Sequence, residues 1–216
     1  MTQQHAHGAA APTSQPSRSR AIALALLATV AVVWYAVDQF VKIVVETNMV
    51  EGQVIEVLGP VLQWHFVRNP GAAFSLAAGQ TWIFTAFAVI VVIVIAVLAR
   101  RIRSFAWATV FGLVLGGVLG NLTDRLFRPP GFGVGHVVDV ISTPWLLPAI
   151  YNVADMGIVF GMILFVWLTL RDVRLDGTRG RTPKRQPEPG ELEPGEPEPG
   201  EPKPGEPETD APGIRA

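Results

Sequence analysis

Four long apolar segments constrain the fold of this chain more than any other feature of its sequence. They are residues 21–37, 81–99, 105–120 and 151–170. A helix of about 20 residues crosses the roughly 30 Å hydrocarbon core of a bilayer. The first and third segments reach that length only if their helices continue into the polar residues that follow. We therefore predict membrane spans at about 21–40, 81–99, 105–124 and 151–170.

Composition and flanking residues agree with this prediction. Half of the 216 residues are hydrophobic and 16% are charged, whereas soluble domains carry about a quarter charged residues.

Arg18 and Arg20, before the first segment, leave a secretory signal as an alternative interpretation of residues 21–37. That segment is long for a signal core, and no A-x-A-like cleavage site follows it. The sequence thus favours an all-α membrane protein with four transmembrane helices.

The basic residues predict the orientation of the spans. Arg100, Arg101 and Arg103 fill the short turn between the second and third spans, and further basic residues precede the first span and follow the fourth. Loops rich in lysine and arginine stay in the cytoplasm. We therefore expect both termini to be cytoplasmic and the loops 41–80 and 125–150 to lie outside.

The first outer loop differs from the two ends of the chain. Residues 54–68 mix β-branched and aromatic residues with polar ones around Gly59 and Pro60, which predicts short strands joined by a turn. Residues 1–20 and 173–216 are predicted to be disordered, because the second stretch is too rich in proline, glutamate and glycine to bury a core. We interpret it as a cytoplasmic tail, either a dispensable extension or a binding motif.

Polar residues gather at the predicted outer ends of the spans, where a bilayer penalises them unless they are paired or used. They are Asp38, Lys42, Asn121, Asp124, Arg125, Asn152 and Asp155. Within each span they are mostly three or four places apart, so they share one helix face. Asp139 precedes the fourth span in a loop, and Asn69 lies in the first outer loop. Because polar residues scattered at random would not collect at one depth, the pattern indicates a functional site.

The residue types limit the chemistry of this site. The chain has no cysteine and its four histidines form no H-E-x-x-H motif, so we expect neither a metal site nor a cofactor. Two carboxyl groups in a poorly solvated site share one proton; one can then activate water while the other polarises a carbonyl. Asp139 and Asp155 suit this pair. Asp124 suits it less, because Arg125 beside it favours its ionised form.

Two other interpretations stay open at this point. Taken singly, Asp38 with Lys42, or Asp124 with Arg125, is also compatible with an ion pair that anchors a helix end. The carboxylates as a group are also compatible with a small proton-coupled transporter. A proton relay would, however, place carboxylates through the depth of the bilayer, and the interiors of these spans carry no charge.

Five sequence blocks resemble those of the bacterial lipoprotein signal peptidases, also called type II signal peptidases. The blocks are DQFVK (38–42), NPGAAFS (69–75), GGVLGNLTDR (116–125), VVDV (137–140) and YNVAD (151–155). They occur in the family's order, and the similarity covers about residues 21–172, which would form one protease domain. The resemblance implies an aspartyl endopeptidase of the bacterial cytoplasmic membrane with its active site at the outer face. Such enzymes remove the signal peptide from diacylglyceryl-modified prolipoproteins, cutting before the lipidated cysteine.

The resemblance also implies roles for individual residues. Asp139 and Asp155 would be the catalytic dyad. Substrate binding and support of the dyad would fall to Asn69, Asn121, Arg125, Asn152, Asp38, Lys42 and Asp124. The family further implies a small β-cradle in the first outer loop, a lid-like helix in the second, inhibition by globomycin, and a monomer. Two positions depart from its pattern, since Tyr151 stands where phenylalanine is usual and Met156 where serine is common.

Overall fold

The computed structural model describes residues 18–71 and 80–179, and four long helices make up most of this part of the chain. They are α1 (Arg18–Asn48), α2 (Thr81–Ala99), α3 (Phe105–Phe127) and α4 (Val153–Leu170). Each is long and apolar enough to cross a membrane. The prediction of a four-helix membrane protein is therefore confirmed.

The helix ends differ from the predicted ends mainly where polar residues find partners. α2 has the predicted bounds, whereas α1 continues to Asn48 and α3 to Phe127. The extension of α1 carries Lys42 and Glu46, both of which form ion pairs, so pairing offsets the penalty that hydropathy alone assigns to them. α1 also begins at Arg18, so the prediction of disorder is wrong for residues 18–20. The rest of that predicted stretch, 1–17, lies outside the described residues.

The segment after α4 is folded as far as it is described. The backbone carbonyl oxygen of Leu175 accepts hydrogen bonds from the amides of Arg103 and Ser104, at 3.0 and 3.1 Å. The indole of Trp107 donates to the carbonyl of Val173 at 2.9 Å. The prediction of disorder is therefore wrong for residues 173–179, and the remainder of that stretch, 180–216, lies outside the described residues.

α3 is the central helix and packs against the other three. Its glycines let α1 approach closely, as small residues do in membrane helix pairs. A Cβ atom at Gly116 would lie 2.7 Å from the carbonyl oxygen of Ala31, and one at Gly120 would lie 2.5 Å from Asp38 Oδ2. This close packing brings the polar ends of α1, α3 and α4 to one place.

A four-stranded antiparallel sheet covers that end of the bundle. Its strands, in spatial order, are β1 (Val54–Glu56), β2 (Gln63–Asn69), β3 (Val137–Ser142) and β4 (Ile150–Tyr151). Phe66 of β2, together with Val138 and Val140 of β3, packs on Val45 near the end of α1 and on Met49 just after it. The sheet is thus fixed to the helix that carries Asp38 and Lys42.

The sheet corrects two expectations about the second outer loop. The predicted strands of the first outer loop are present, but half of the sheet comes from the second loop, and Asp139 lies in strand β3 rather than in a loop. Residues 128–152, all of which the structure describes, contain no helix, so the lid-like helix implied by the family is not found there. Strand β3 holds Asp139 more firmly than a loop would, because the strand is paired on both sides, with β2 and with β4.

Candidate active site

The buried centre of the site is the ammonium group of Lys42. Its Nζ lies 2.9 Å from Asp38 Oδ2 and 2.7 Å from Asp124 Oδ2, and it donates to Asn121 Oδ1 at 3.0 Å. Lys42, Asp38 and Asp124 are fully buried. An ammonium group has three N–H donors, and all three have acceptors here. One lysine thereby joins α1 to α3.

Asp38 extends this connection to α4. Its Oδ1 accepts a hydrogen bond from the backbone amide of Ala154 at 2.9 Å, and the indole of Trp34, on the same helix, donates to the carbonyl of Val153 at 2.9 Å. Amides in the first turn of a helix have no partner within the helix. The start of α4 is therefore positioned by side chains of α1.

Two asparagines link Lys42 to two further carboxylates. Because Asn121 Oδ1 accepts from Lys42, its Nδ2 faces Asp155 and donates to Oδ1 at 2.8 Å. Asn152 Nδ2 donates both to Asn121 Oδ1, at 3.0 Å, and to Asp139 Oδ1, at 2.6 Å. Asp139 and Asp155 are thus bridged by the amides of Asn121 and Asn152.

Asp139 is held from both sides in a buried position. Asn69 Nδ2 donates to Asp139 Oδ2 at 2.9 Å, and Asn69 Oδ1 in turn accepts from the amide of Gly71 at 2.8 Å. Burial, and next the negative charge of Asp155, raises the pKa of Asp139 to about 7. The hydrogen bonds from Asn69 and Asn152 oppose this rise in pKa without cancelling it.

Asp155 lies in the first turn of α4 and takes part in its N-terminal cap. The side chain of Asn152 accepts from the amide of Asp155 at 3.0 Å, and Asp155 Oδ2 accepts from the amide of Asn152 at 3.1 Å. This reciprocal pair is a capping box. Asn152 therefore serves the helix start and both carboxyl groups at once, which explains why it is buried.

Arg125 lies at the same end of α3 and is also buried. Its guanidinium stacks on the ring of Phe84 at 5.3 Å and donates to the carbonyl of Gly135 at 3.4 Å. Gly71 has a positive φ of 96°, and a Cβ there would lie 2.7 Å from Phe84 and 3.2 Å from Arg125. A glycine is therefore required where the first outer loop passes over this arginine.

The structure brings all the predicted site residues to one end of the bundle. They are Asp38, Lys42, Asn69, Asn121, Asp124, Arg125, Asp139, Asn152 and Asp155. The ion pair of Asp38 with Lys42 is present, but the pairing of Asp124 with Arg125 is wrong. Asp124 instead binds Lys42 and the guanidinium of Arg128, whose Nε lies 2.7 Å from Oδ1. Among the described residues, no carboxylate forms a hydrogen bond or ion pair with Arg125.

Sequence reasoning missed three charged residues at the rim of the site. Glu46 forms ion pairs with both Arg68 and Arg128. Both Glu46 and Arg128 were detectable, because they follow Lys42 and Asp124 by four places and so share their helix faces. Arg68 gave no such signal, since its contact with Glu46 joins a strand to a distant helix.

The two departures from the family pattern do not disturb the polar network. The hydroxyl of Tyr151 lies 3.3 Å from Thr143 Oγ1, a contact that phenylalanine could not make. The amide of Met156 donates to the carbonyl of Asn152 at 3.3 Å, which any residue could do.

Across residues 18–71 and 80–179, no three His, Cys, Asp or Glu side chains lie together as metal ligands would.

Comparison with known proteins gives a consistent result. Residues 30–171 match the family model described as signal peptidase (SPase) II. The chain is 57% identical over 170 residues to the lipoprotein signal peptidase of Leifsonia xyli subsp. xyli, covering 78% of each chain. It is 49% identical over 154 residues to that of Rhodococcus jostii, covering 71% of this chain and 77% of the relative. A solved bacterial membrane enzyme, obtained by the in meso method, superimposes with a TM-score of 0.62 at 28% identity over 68% of this chain and 94% of its own.

Proposed function

The chain belongs to the signal peptidase II family, and from this premise we propose that it cleaves lipid-modified prolipoproteins with two aspartates, Asp139 and Asp155. One observation carries the proposal: the two carboxyl groups, from β3 and α4, are bridged by Asn121 and Asn152 at the buried end of a membrane bundle. Such a pair fits aspartic-protease chemistry, in which two close carboxyl groups hold one proton between them.

The proposed reaction uses a water held between the two carboxyl groups. The ionised carboxylate of Asp155 accepts a proton from the water, whose oxygen attacks the scissile carbonyl carbon. The protonated carboxyl of Asp139 gives its proton to the carbonyl oxygen, and a gem-diol forms. Asp155 then gives the proton it took from water to the amide nitrogen, while one gem-diol hydroxyl returns a proton to Asp139. The C–N bond breaks, the carboxylic acid and the amine leave, and the dyad again holds one proton. A pKa of about 7 suits Asp139 to carry the shared proton near neutral pH.

The position of the site favours a substrate that arrives within the membrane. The dyad lies where helices long enough to span a bilayer meet the sheet. A diacylglyceryl-cysteine would keep its acyl chains in lipid while the bond before it reached Asp139 and Asp155. Asn69 and Asn152 would orient the dyad, and Arg125 would support the backbone at Gly71, whose amide donates to Asn69.

The orientation in the membrane is also part of the proposal. Arg100, Arg101 and Arg103 lie at the end of the bundle opposite to the dyad. The positive-inside rule then places both termini in the cytoplasm and the site at the outer face of the bacterial plasma membrane. We further propose that the protein acts as a monomer and that globomycin-like inhibitors occupy the site. A proton-coupled transporter gains no support, because the carboxylates collect at one end of the helices.

The proposal is tested with purified full-length protein and a prolipoprotein, before and after diacylglyceryl modification. We expect cleavage of the modified precursor only, seen as a gel shift, and loss of that cleavage with globomycin. The relative from Leifsonia xyli subsp. xyli serves as the positive control. If that enzyme cut the substrate and this protein left it intact, the proposed function would be wrong.

A further inference from the structure

Glu46 lies between two arginines that belong to different parts of the protein. Its Oε1 is 3.1 Å from Arg68 Nη2 in strand β2, and its Oε2 forms an ion pair with Arg128, which follows α3. Glu46 itself is on α1. A single carboxylate therefore joins the sheet, α1 and the end of α3.

On the sheet side, this contact leads directly to Asp139. Arg68 precedes Asn69, the residue that donates to Asp139 Oδ2. In the sheet, Arg68 and Asn69 face Val138 and Val137, the two residues that precede Asp139 in β3. Fixing the guanidinium of Arg68 therefore fixes the end of β2 that holds Asp139.

On the helix side, the contact leads to Asp155. Arg128 binds Asp124, Asp124 binds Lys42, and Lys42 holds Asn121, whose amide donates to Asp155. From Glu46 to Lys42 the charges alternate in sign, so each of these groups has an oppositely charged neighbour, and the neutral Asn121 makes the last link to Asp155. Glu46 therefore connects the contacts that hold Asp139 to the contacts that hold Asp155.

The burial of these groups makes the contacts stronger than ordinary surface ion pairs. The side chains of Glu46 and Arg128 are 21% and 15% exposed, and that of Arg68 is 34% exposed. Arg68 also pairs with Glu51 at 3.2 Å, but the Glu51 side chain is 51% exposed. Exposed pairs contribute little because solvent and salt screen them. Glu46 and Glu51 thus share Arg68 as a partner, but Glu46 is more buried and also pairs with Arg128.

We propose that Glu46 is a positioning residue, an ionic clamp that holds β2 against α1 and α3 and so sets the placement of Asp139 relative to Asp155. The inference rests on the proposed function for its effect on turnover, because positioning matters only if the two aspartates act together. Its effect on the sheet itself is independent of that function.

The first test compares Glu46→Gln with the matched control Glu51→Gln. Small misplacements of reacting groups lower rates strongly, by about 10²-fold for an ångström. We expect Glu46→Gln to lower kcat about tenfold with little change in KM, since the substrate's own contacts are kept. Glu46→Asp, which retains the charge, should recover part of the loss, and Glu51→Gln should behave as wild type. Equal kcat values for Glu46→Gln and Glu51→Gln would overturn the proposal.

A double-mutant cycle with Asn69→Ala separates positioning from general destabilisation. If Glu46 acts through the end of β2, Glu46→Gln should lower kcat much less in the Asn69→Ala background than in wild type, because the link to Asp139 is already cut. Independent, multiplicative losses would contradict the clamp. Should Glu46→Gln fail to fold, Arg68→Gln removes the contact between Glu46 and Arg68 from the strand side. Its loss of kcat is then compared between the wild-type and Asn69→Ala backgrounds.

Hydrogen exchange tests the clamp without any substrate. Amides of residues 63–69 should exchange faster in Glu46→Gln than in Glu51→Gln, whereas unchanged exchange in both would overturn the proposal. This readout distinguishes the two proposals. A wild-type protein without turnover would contradict the proposed function, and the exchange rates would still decide whether Glu46 holds the sheet.

Discussion

Lys42 shows how one buried charge organises this site. It satisfies Asp38, Asp124 and Asn121 at once, and it determines which way the Asn121 amide faces. A buried ion pair adds little net stability, but removing one partner leaves an uncompensated charge. The lysine therefore supports the geometry around Asp155 through Asn121.

The proposed role of Asp139 predicts that the activity depends on pH in a defined direction. Because the pKa of Asp139 is about 7, the proposed dyad would lose its proton as the pH rises above 7, and turnover should fall there. The hydrogen bond from Asn69 lowers this pKa, because it favours the ionised carboxylate. Asn69→Ala should therefore move the alkaline limb of the kcat profile to higher pH as well as lower kcat. A limb that stayed in place, or moved to lower pH, would contradict this account of Asp139.

At the scale of helices and strands, the sequence predicted what depends on local pattern. α2, a continuous apolar segment, has its predicted ends, and the strands of residues 54–68 are present. The outer end of α1 was placed too early because hydropathy does not register that Lys42 and Glu46 find distant partners. Strand β3 was missed because its identity depends on pairing with β2, a contact between separate loops.

The contact between α1 and α3 gives a prediction at the same scale. Gly116→Ala places a Cβ 2.7 Å from the carbonyl oxygen of Ala31, and backbone cannot yield as a side chain can. We expect a loss of about 1–3 kcal/mol in stability together with reduced turnover. Gly131→Ala is the matched control, because its nearest contact would be Val134 at 3.9 Å. Thermal unfolding in detergent measures the stability of both variants. Equal unfolding midpoints for Gly116→Ala and Gly131→Ala would show that the close packing of α1 on α3 matters little.

At the scale of the whole molecule, the position of the site was predictable from the sequence, but the pairing of its charged side chains was not. The polar residues were expected at one depth, and the structure brings them together at one end of the helix bundle. Their pairing was not predictable, since Asp124 is adjacent in sequence to Arg125 yet binds Lys42 and Arg128. Side chains four places apart on a helix share a face, whereas neighbours in sequence point in different directions.

The proposed orientation is testable because the chain has no cysteine. Single cysteines introduced at Leu58, in the turn between β1 and β2, and at Arg101, between α2 and α3, report on opposite ends of the bundle. In intact protoplasts, a membrane-impermeant maleimide should label Leu58→Cys, and Arg101→Cys should react only after lysis. The reverse pattern would place the dyad at the cytoplasmic face.

The most direct test of the central claim, that Asp139 and Asp155 form the catalytic pair, is the turnover of Asp139→Asn and Asp155→Asn. Each should lose about 10³-fold or more of kcat, and the double variant should lose little beyond either single one, because groups that act as a unit are not additive. Asp172→Asn, an exposed aspartate at the other end of α4, controls for loss of a carboxylate as such and should match wild type. Retained cleavage of the lipid-modified prolipoprotein by either folded single variant would contradict the account.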